Sequence, residues 1–283
     1  MLRHAFARAF AHDAPNMAQS AAYSSVFALF PALIVAAAVI AHLPDTAAVR
    51  YELAAFFDRL LPADVLPLLT AYFEAKPPAG SGIGPSPTTA RALLLAVVVS
   101  ILGASGVIAT FMEGLRRAGD LPPDCWSFLR RRGRALLLVP LSLVPLSAAS
   151  ILVVFGHIIS LWLAAHVAGV IRTPVFLLAL LLRWIFALAG SVGLTALLYR
   201  MGTPVLPLWR RVLPGAVVAT AMWFIATIAF GWYVTRFANY SRVYGSLGAG
   251  IALLVWLYLI SFSILCGAEF NAVFAREYHP NLH

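Results

Sequence analysis

Charged residues are scarce in this sequence. Only 11% of its 283 residues are Asp, Glu, Lys or Arg, whereas soluble globular domains carry about 25%. Hydrophobic residues make up 62%, and the mean hydropathy is +0.89. Because a water-soluble core cannot absorb that much apolar surface, the composition excludes a soluble globular protein and predicts an integral membrane protein.

Cysteine is rare as well, with two in the chain. Cys125 lies in a polar stretch and Cys266 in an apolar one. These segments should not meet, so the sequence predicts neither a disulfide nor a zinc site. No His-x-Glu pattern occurs, and the two histidines with His-x-x-x-His spacing, His279 and His283, lie in the C-terminal tail. We therefore expect no bound metal, no cofactor and no enzymatic activity.

Long apolar runs are abundant. Six of them match the length of about 20 residues that the hydrocarbon core of a bilayer requires. They predict an all-α bundle of six transmembrane helices, a single domain over residues 1–283, whose first run is a span and not a cleaved signal. Pro31, Pro140 and Pro145 are expected to kink these helices without breaking them. The predicted spans are about 21–43, 92–112, 135–157, 175–199, 213–235 and 247–273.

The positive charge comes from nineteen arginines and one lysine, Lys76, and the net charge is +9. Such an excess is compatible with nucleic-acid binding, with an anionic membrane surface or with control of topology. The arginines gather before the first span, between spans two and three, and between spans four and five. The positive-inside rule therefore predicts that both termini lie in the cytoplasm. These arginines are Arg3, Arg8, Arg116, Arg117, Arg130, Arg131, Arg132, Arg134, Arg200, Arg210 and Arg211.

The densest basic run is predicted to touch lipid. Arg130, Arg131, Arg132 and Arg134 immediately precede the third span, where an arginine gains about 1 kcal/mol beside anionic lipid. Membrane lipids are thus the expected partners, and no nucleic acid is needed to explain the charge. Glu113 on the same side precedes Arg116 and Arg117 by three and four residues, which is the spacing of ion pairs along a helix. A metal-dependent nuclease would instead need carboxylates that converge on shared metal ions.

The first extracytoplasmic loop, residues 44–91, has two parts. Residues 47–75 show apolar side chains at helical spacing against charged ones, which predicts short amphipathic helices on the membrane surface or over the bundle. Residues 76–89 are rich in Pro, Gly and Ser and predict a flexible tether.

Glycines recur inside the predicted spans. They favour close packing of helices, and an unwound substrate-binding break near residues 245–250 is the alternative. The pairs and clusters are Gly103 and Gly106, Gly190 and Gly193, and Gly245, Gly248 and Gly250.

The sixth span carries the most recognisable pattern. Residues 244–259, YGSLGAGIALLVWLYL, with LCGAEFNA at 265–272, resemble the signature of the YihY/BrkB family of inner-membrane proteins. Further matches cover nearly the whole chain, among them AAYSSVFALFP from Ala21, LPGA from Leu213 and FANYSR from Phe237. The resemblance implies a bundle of about six spans. Members have been described as ribonuclease BN, as serum-resistance or virulence factors, and as transporters or exporters, with no shared active-site motif to carry over.

Two ionisable residues within the apolar spans are the main candidates for a substrate or ion pathway. Arg183 lies in the fourth span, where an arginine costs about 2.5–3.5 kcal/mol on insertion scales. It either reaches the interface or contacts an anionic group. Glu269 lies near the inner end of the sixth span, and either relays protons or cations or forms a buried ion pair with Arg200, Arg211 or Arg276.

Three polar residues complete the predicted pathway: Asn271 beside Glu269, and Asn239 and Tyr244 at an outer vestibule. The leading hypothesis is a transporter, exporter or lipid-handling protein for an anionic solute or lipid. The alternative is a noncatalytic envelope-integrity or virulence-associated scaffold that forms homo-oligomers. A membrane-bound ribonuclease is the third.

Overall fold

The computed structural model describes residues 1–41, 87–125, 127–145, 172–204, 206–237 and 246–278. Within these ranges the chain is helical, with one short 3₁₀ turn at Pro123–Cys125 and no strand, which confirms the all-α prediction. The predicted amphipathic helices and tether of the first loop lie outside the described residues. The helices are α1 (Leu2–Ala11), α2 (Ala14–Ala41), α3 (Pro87–Ala118), α4 (128–145), α5 (Arg172–Met201), α6 (Trp209–Phe237) and α7 (Ser246–Tyr278).

Four of the described helices are long and apolar enough to cross a membrane. These segments run over Leu93–Ala118, Leu180–Met201, Trp209–Arg236 and Gly250–Glu277. Each exceeds the length of about 20 residues that a bilayer requires. The helices α2 and α4 overlap the other two predicted spans, 21–43 and 135–157, over their described residues, and the count of six remains a prediction. Exposed apolar side chains such as Leu181, Ile225 and Ile228 cover these helices, as expected of surfaces in contact with lipid.

Proline does not interrupt the helices. Pro31 lies inside α2, and Pro140 lies inside the helix over residues 128–145. Pro214 occupies the second turn of α6, where its missing N–H removes one helical hydrogen bond. The side chain of Asn271 on α7 reaches this turn: it accepts a hydrogen bond from the Gly215 N–H at 2.7 Å and donates one to the Val212 carbonyl at 3.0 Å.

Small residues bring the helices together at two contacts. A β-carbon on Gly103 of α3 would lie 3.0 Å from Ala28 of α2. On α7, a β-carbon on Gly267 would collide with the Gly215 carbonyl and with Ala219, both on α6. Small residues let helix backbones approach closely, and this close packing holds helices together in a bilayer, where the hydrophobic effect does not. The packing role predicted for Gly103 is confirmed, whereas Gly193 and Gly250 face open space.

Candidate functional site

The first helix, α1, packs against α7 through its small residues. Ala5 and Ala9, one turn apart, are buried, so the backbone of α1 approaches α7 closely. The rings of Phe6 and Phe10 both meet Phe262 of α7 edge-on, with centroids 5.7 and 5.9 Å apart. This helix was not predicted from the sequence, although alanines four residues apart, each flanked by a bulkier apolar or basic residue, are the pattern of an amphipathic docking helix.

Glu269 is the most deeply buried charged residue in the described parts of the chain, with 2% of its surface exposed. The Arg8 Nε donates a hydrogen bond to its Oε2 at 3.1 Å, and the His12 Nδ1 lies 2.6 Å from its Oε1. Both partners belong to α1 or its C-terminal cap, one turn apart. Because a buried carboxylate requires a paired cation, these two contacts attach α1 to α7.

A second carboxylate, Asp120, faces the same two residues from the end of α3. The Arg8 Nη2 lies 2.9 Å from Asp120 Oδ2, and the His12 Nε2 lies 3.4 Å from Oδ1. Arg276 of α7 also pairs with Asp120. Arg8, His12, Asp120, Glu269 and Arg276 together are called the charged cluster below. Two arginines balance its two carboxylates, and an imidazole between two carboxylates can donate to both only when it is protonated.

The backbone explains how two helix ends meet at the charged cluster. Asp13, just after α1, and Asp120, just after α3, adopt positive φ angles of 64° and 52°. Aspartate tolerates this left-handed conformation because its short side chain bonds locally. At Asp13 the chain turns directly into α2. At Asp120 it leaves α3 with the carboxylate directed at α1.

Glu113 forms a separate ion-pair group. Its carboxylate lies 2.7 Å from Arg116 and 3.3 Å from Arg117, so the predicted helical pairs are confirmed. Arg131 of α4 approaches it at 3.8 Å. In the described ranges no three His, Cys, Asp or Glu side chains are grouped to hold a metal ion. Cys125 and Cys266 are both free.

The structure gives Glu269 different partners from those predicted from the sequence. Glu269 is buried in an ion pair, but its partners are Arg8 and His12 and not the expected arginines. Of those, Arg200 stacks over the Trp209 ring at 4.6 Å, and Arg276 reaches Asp120 instead. The physical reason is that α1 packs over Glu269 and brings Arg8 and His12 into contact with its carboxylate.

The other predicted site residues either contact neighbouring helices or loops, or lie outside the described part of the structure. Asn271 links α7 to α6. The basic run lies at the start of α4: Arg130 is exposed, Arg132 is half-buried, and the Arg134 Nη1 donates to the Thr203 carbonyl at 3.1 Å. Arg183 lies on α5, but its side chain is outside the described part of the structure, as are Asn239 and Tyr244 altogether.

Beside the charged cluster, α1, α6 and α7 enclose a groove of about 480 Å³. This volume lies within the range of roughly 300–1,000 Å³ that small-molecule sites occupy. The walls are apolar except for one arginine, Arg3, and Cys266 is the residue that α7 contributes. The lining residues are Leu2, Arg3, Ala5, Phe6, Ala7, Val218, Met222 and Cys266.

Comparison with known proteins gives matches over the whole length. The family model described as "Virulence factor BrkB" matches residues 5–283. A ribonuclease-like protein of Bacillus subtilis (strain 168), YfkH, is 28% identical over 98% of this chain and 95% of its own length. A UPF0761 membrane protein of Tolumonas auensis is 28% identical over 92% of this chain and 81% of its own length. No solved structure matches the chain.

Proposed function

The chain belongs to the BrkB family of membrane proteins, and from this premise we propose that it is a transporter, exporter or lipid-handling protein of the bacterial inner membrane with an anionic substrate. The N- and C-termini and the charged cluster lie on the cytoplasmic side in this proposal, because the arginine-rich segments before α2, after α3 and between α5 and α6 share that side.

One observation carries the proposal: a fully buried carboxylate, Glu269, is held by a histidine and an arginine from a short helix outside the main bundle. Ionisable residues at membrane depth are expensive, and most mark ion or substrate pathways. Histidine is also the side chain that exchanges protons near neutral pH. We infer that the charged cluster couples proton exchange to movement of α1.

Transbilayer movement of a labelled lipid tests this function. The purified protein is placed in vesicles that contain phosphatidylglycerol with a fluorescent headgroup-proximal label, and dithionite bleaches the label in the outer leaflet. We expect wild type to speed the slow bleaching phase relative to protein-free vesicles. Glu269→Gln should return this phase towards the protein-free rate, because a neutral amide cannot form the ion pair with Arg8.

The matched control is Glu277→Gln, which removes an exposed carboxylate from the same helix two turns later. It should leave the rate unchanged. If wild type moves neither labelled phosphatidylglycerol nor labelled phosphatidylcholine, lipid handling is contradicted. If Glu269→Gln is as active as wild type, movement stands but the role of the charged cluster does not.

A noncatalytic scaffold is the second candidate, and an exposed apolar pair favours it. Phe128 and Leu129, at the start of α4 beside Arg130, are strongly exposed on the proposed cytoplasmic side. Such a pair next to a basic run fits a contact with a partner or a second copy. A protein that moves no lipid but forms a stable oligomer, which Leu129→Ser dissociates, would favour this alternative.

We propose no nuclease activity, although one relative has a ribonuclease-like name. Metal-dependent phosphodiester hydrolysis needs carboxylates that converge on shared ions. Glu113 and Asp120 are instead each engaged by arginines.

A further inference from the structure

The groove between α1, α6 and α7 has the shape and chemistry of a site for one hydrocarbon chain. Its walls are apolar side chains, of which Val218 and Met222 lie on α6 one turn apart. At its mouth Leu2 is 61% and Phe6 is 46% exposed. A soluble polar ligand would find few hydrogen-bond partners along these walls, whereas an acyl chain needs none.

The groove is continuous with the surface of the bundle that meets lipid. Val217 of α6, next to the lining residue Val218, is exposed, as are Phe224 and Ile225 further along the same helix. A chain in the groove can therefore come from the bilayer without crossing water. The occupant is thus a lipid of the surrounding leaflet and not a solute from the cytoplasm.

Arg3 supplies the charge complementarity. It is exposed, it lines the groove, and within the described ranges no acidic side chain pairs with it. Arg8 on the same helix differs because it is bound to Asp120 and Glu269. The two arginines are five residues apart, which places them on different faces of α1. An unpaired guanidinium beside an apolar groove fits a phosphate attached to hydrocarbon.

We propose that the groove binds one acyl chain of an anionic phospholipid of the inner leaflet, with Arg3 contacting the phosphate, whose charge no headgroup cation balances. The site deepens the proposed function and rests on its assignment of this end of the bundle to the cytoplasmic leaflet. Since α1 forms one wall and is attached through Arg8 and His12, the groove exists only while the charged cluster holds α1 in place.

Photocrosslinking of lipid tests this site directly. The full-length protein is placed in nanodiscs with phosphatidylglycerol whose acyl chain carries a diazirine, and competition by unlabelled lipid gives an apparent affinity. After illumination, labelled peptides are identified by mass spectrometry. We expect adducts concentrated on α1 and on the segment of α6 that contains Val218 and Met222. Arg3→Gln should weaken phosphatidylglycerol labelling about fivefold, which corresponds to about 1 kcal/mol.

Three comparisons make the result decisive. Arg3→Lys should restore most of the labelling, and Arg236→Gln, which removes an exposed arginine from the opposite end of α6, should have no effect. Met222→Trp, which fills the groove, should remove the adducts whatever the headgroup. Equal labelling by phosphatidylcholine and phosphatidylglycerol, or adducts spread evenly over Ile225, Ile228 and the other exposed residues, would overturn the proposal.

The two proposals fail in different ways. Loss of the groove adducts with normal lipid movement in vesicles would contradict this site and leave the proposed function standing. If the adducts are saturable and depend on Arg3 but the protein moves no lipid in vesicles, the proposed function is contradicted. The groove then holds a bound structural lipid. A disulfide between two copies of a Leu2→Cys variant, in place of lipid adducts, would identify the groove as an interface between subunits and refute the lipid site.

Discussion

Replacing Glu269 by glutamine is expected to release α1 from the bundle and to expose Cys266 to thiol reagents. Glutamine cannot balance the charge of Arg8, and removal of one partner from a buried ion pair costs about 3 kcal/mol. Cys266 is 3% exposed and lies in the groove beneath α1. In a Cys125→Ser background it is the only thiol, so its rate of reaction with a membrane-permeant maleimide reports how often α1 undocks.

The matched control for this result is again Glu277→Gln, which should react as slowly as the parent protein. Arg8→Gln should react faster than the control, because it leaves both carboxylates of the charged cluster with fewer partners. If Cys266 in Glu269→Gln reacts as slowly as in the parent, the charged cluster does not hold α1, and the contact through Ala5 and Ala9 suffices.

Gly267→Ala is expected to destabilise the bundle as a whole. The added β-carbon would lie within 2.6 Å of the Tyr199 hydroxyl and of Ala219. Neither can move freely, because Tyr199 is buried and its hydroxyl donates a hydrogen bond to the Ile264 carbonyl at 2.5 Å. Overpacking of this kind costs about 1–3 kcal/mol. Thermal or SDS-induced unfolding of the purified protein should show the loss.

Gly193→Ala provides the comparison, since a β-carbon there meets nothing within 4 Å. Both glycines are helical, so alanine reduces backbone freedom equally and favours the helix by roughly 0.5–1 kcal/mol at each. Gly193→Ala should therefore be neutral or slightly stabilising. Equal unfolding temperatures for the two variants would show that α6 and α7 are further apart than they are in this structure.

Much of the architecture follows from the sequence because a bilayer leaves few alternatives. Runs of apolar residues must form helices in lipid, since backbone groups have no other partners there. Helices cover the described parts of all six predicted spans. They extend beyond the predicted apolar limits, as at the start of α2 and the end of α7, because hydropathy marks the hydrocarbon core and not the end of a helix.

The site was less accessible to sequence reasoning because it depends on tertiary contacts. Burial of Glu269 in an ion pair could be predicted from a lone carboxylate in an apolar run. Its partners could not, because Arg8 and His12 are more than 250 residues away and belong to a helix too short and polar to register as a span. The sequence therefore predicts partners for Glu269 among the arginines nearest the ends of the apolar spans.

The charged cluster and the groove share α1, and this connects the two proposals. Loss of a partner in the charged cluster would loosen the wall of the groove, and a lipid in the groove would favour the docked position of α1. Linkage of this kind is reciprocal. It predicts that the variants of the charged cluster that raise Cys266 reactivity most also lower lipid labelling of the groove most.

Both proposed roles of the charged cluster require it to lie on the cytoplasmic side of the membrane, and Cys125 reports that side. This cysteine is partly exposed in the turn between α3 and α4, five residues after Asp120, and Cys266→Ser leaves it as the sole thiol. A membrane-impermeant maleimide should label Cys125 in inverted inner-membrane vesicles and not in intact spheroplasts. Labelling in intact spheroplasts would place the charged cluster outside the cell and contradict the account.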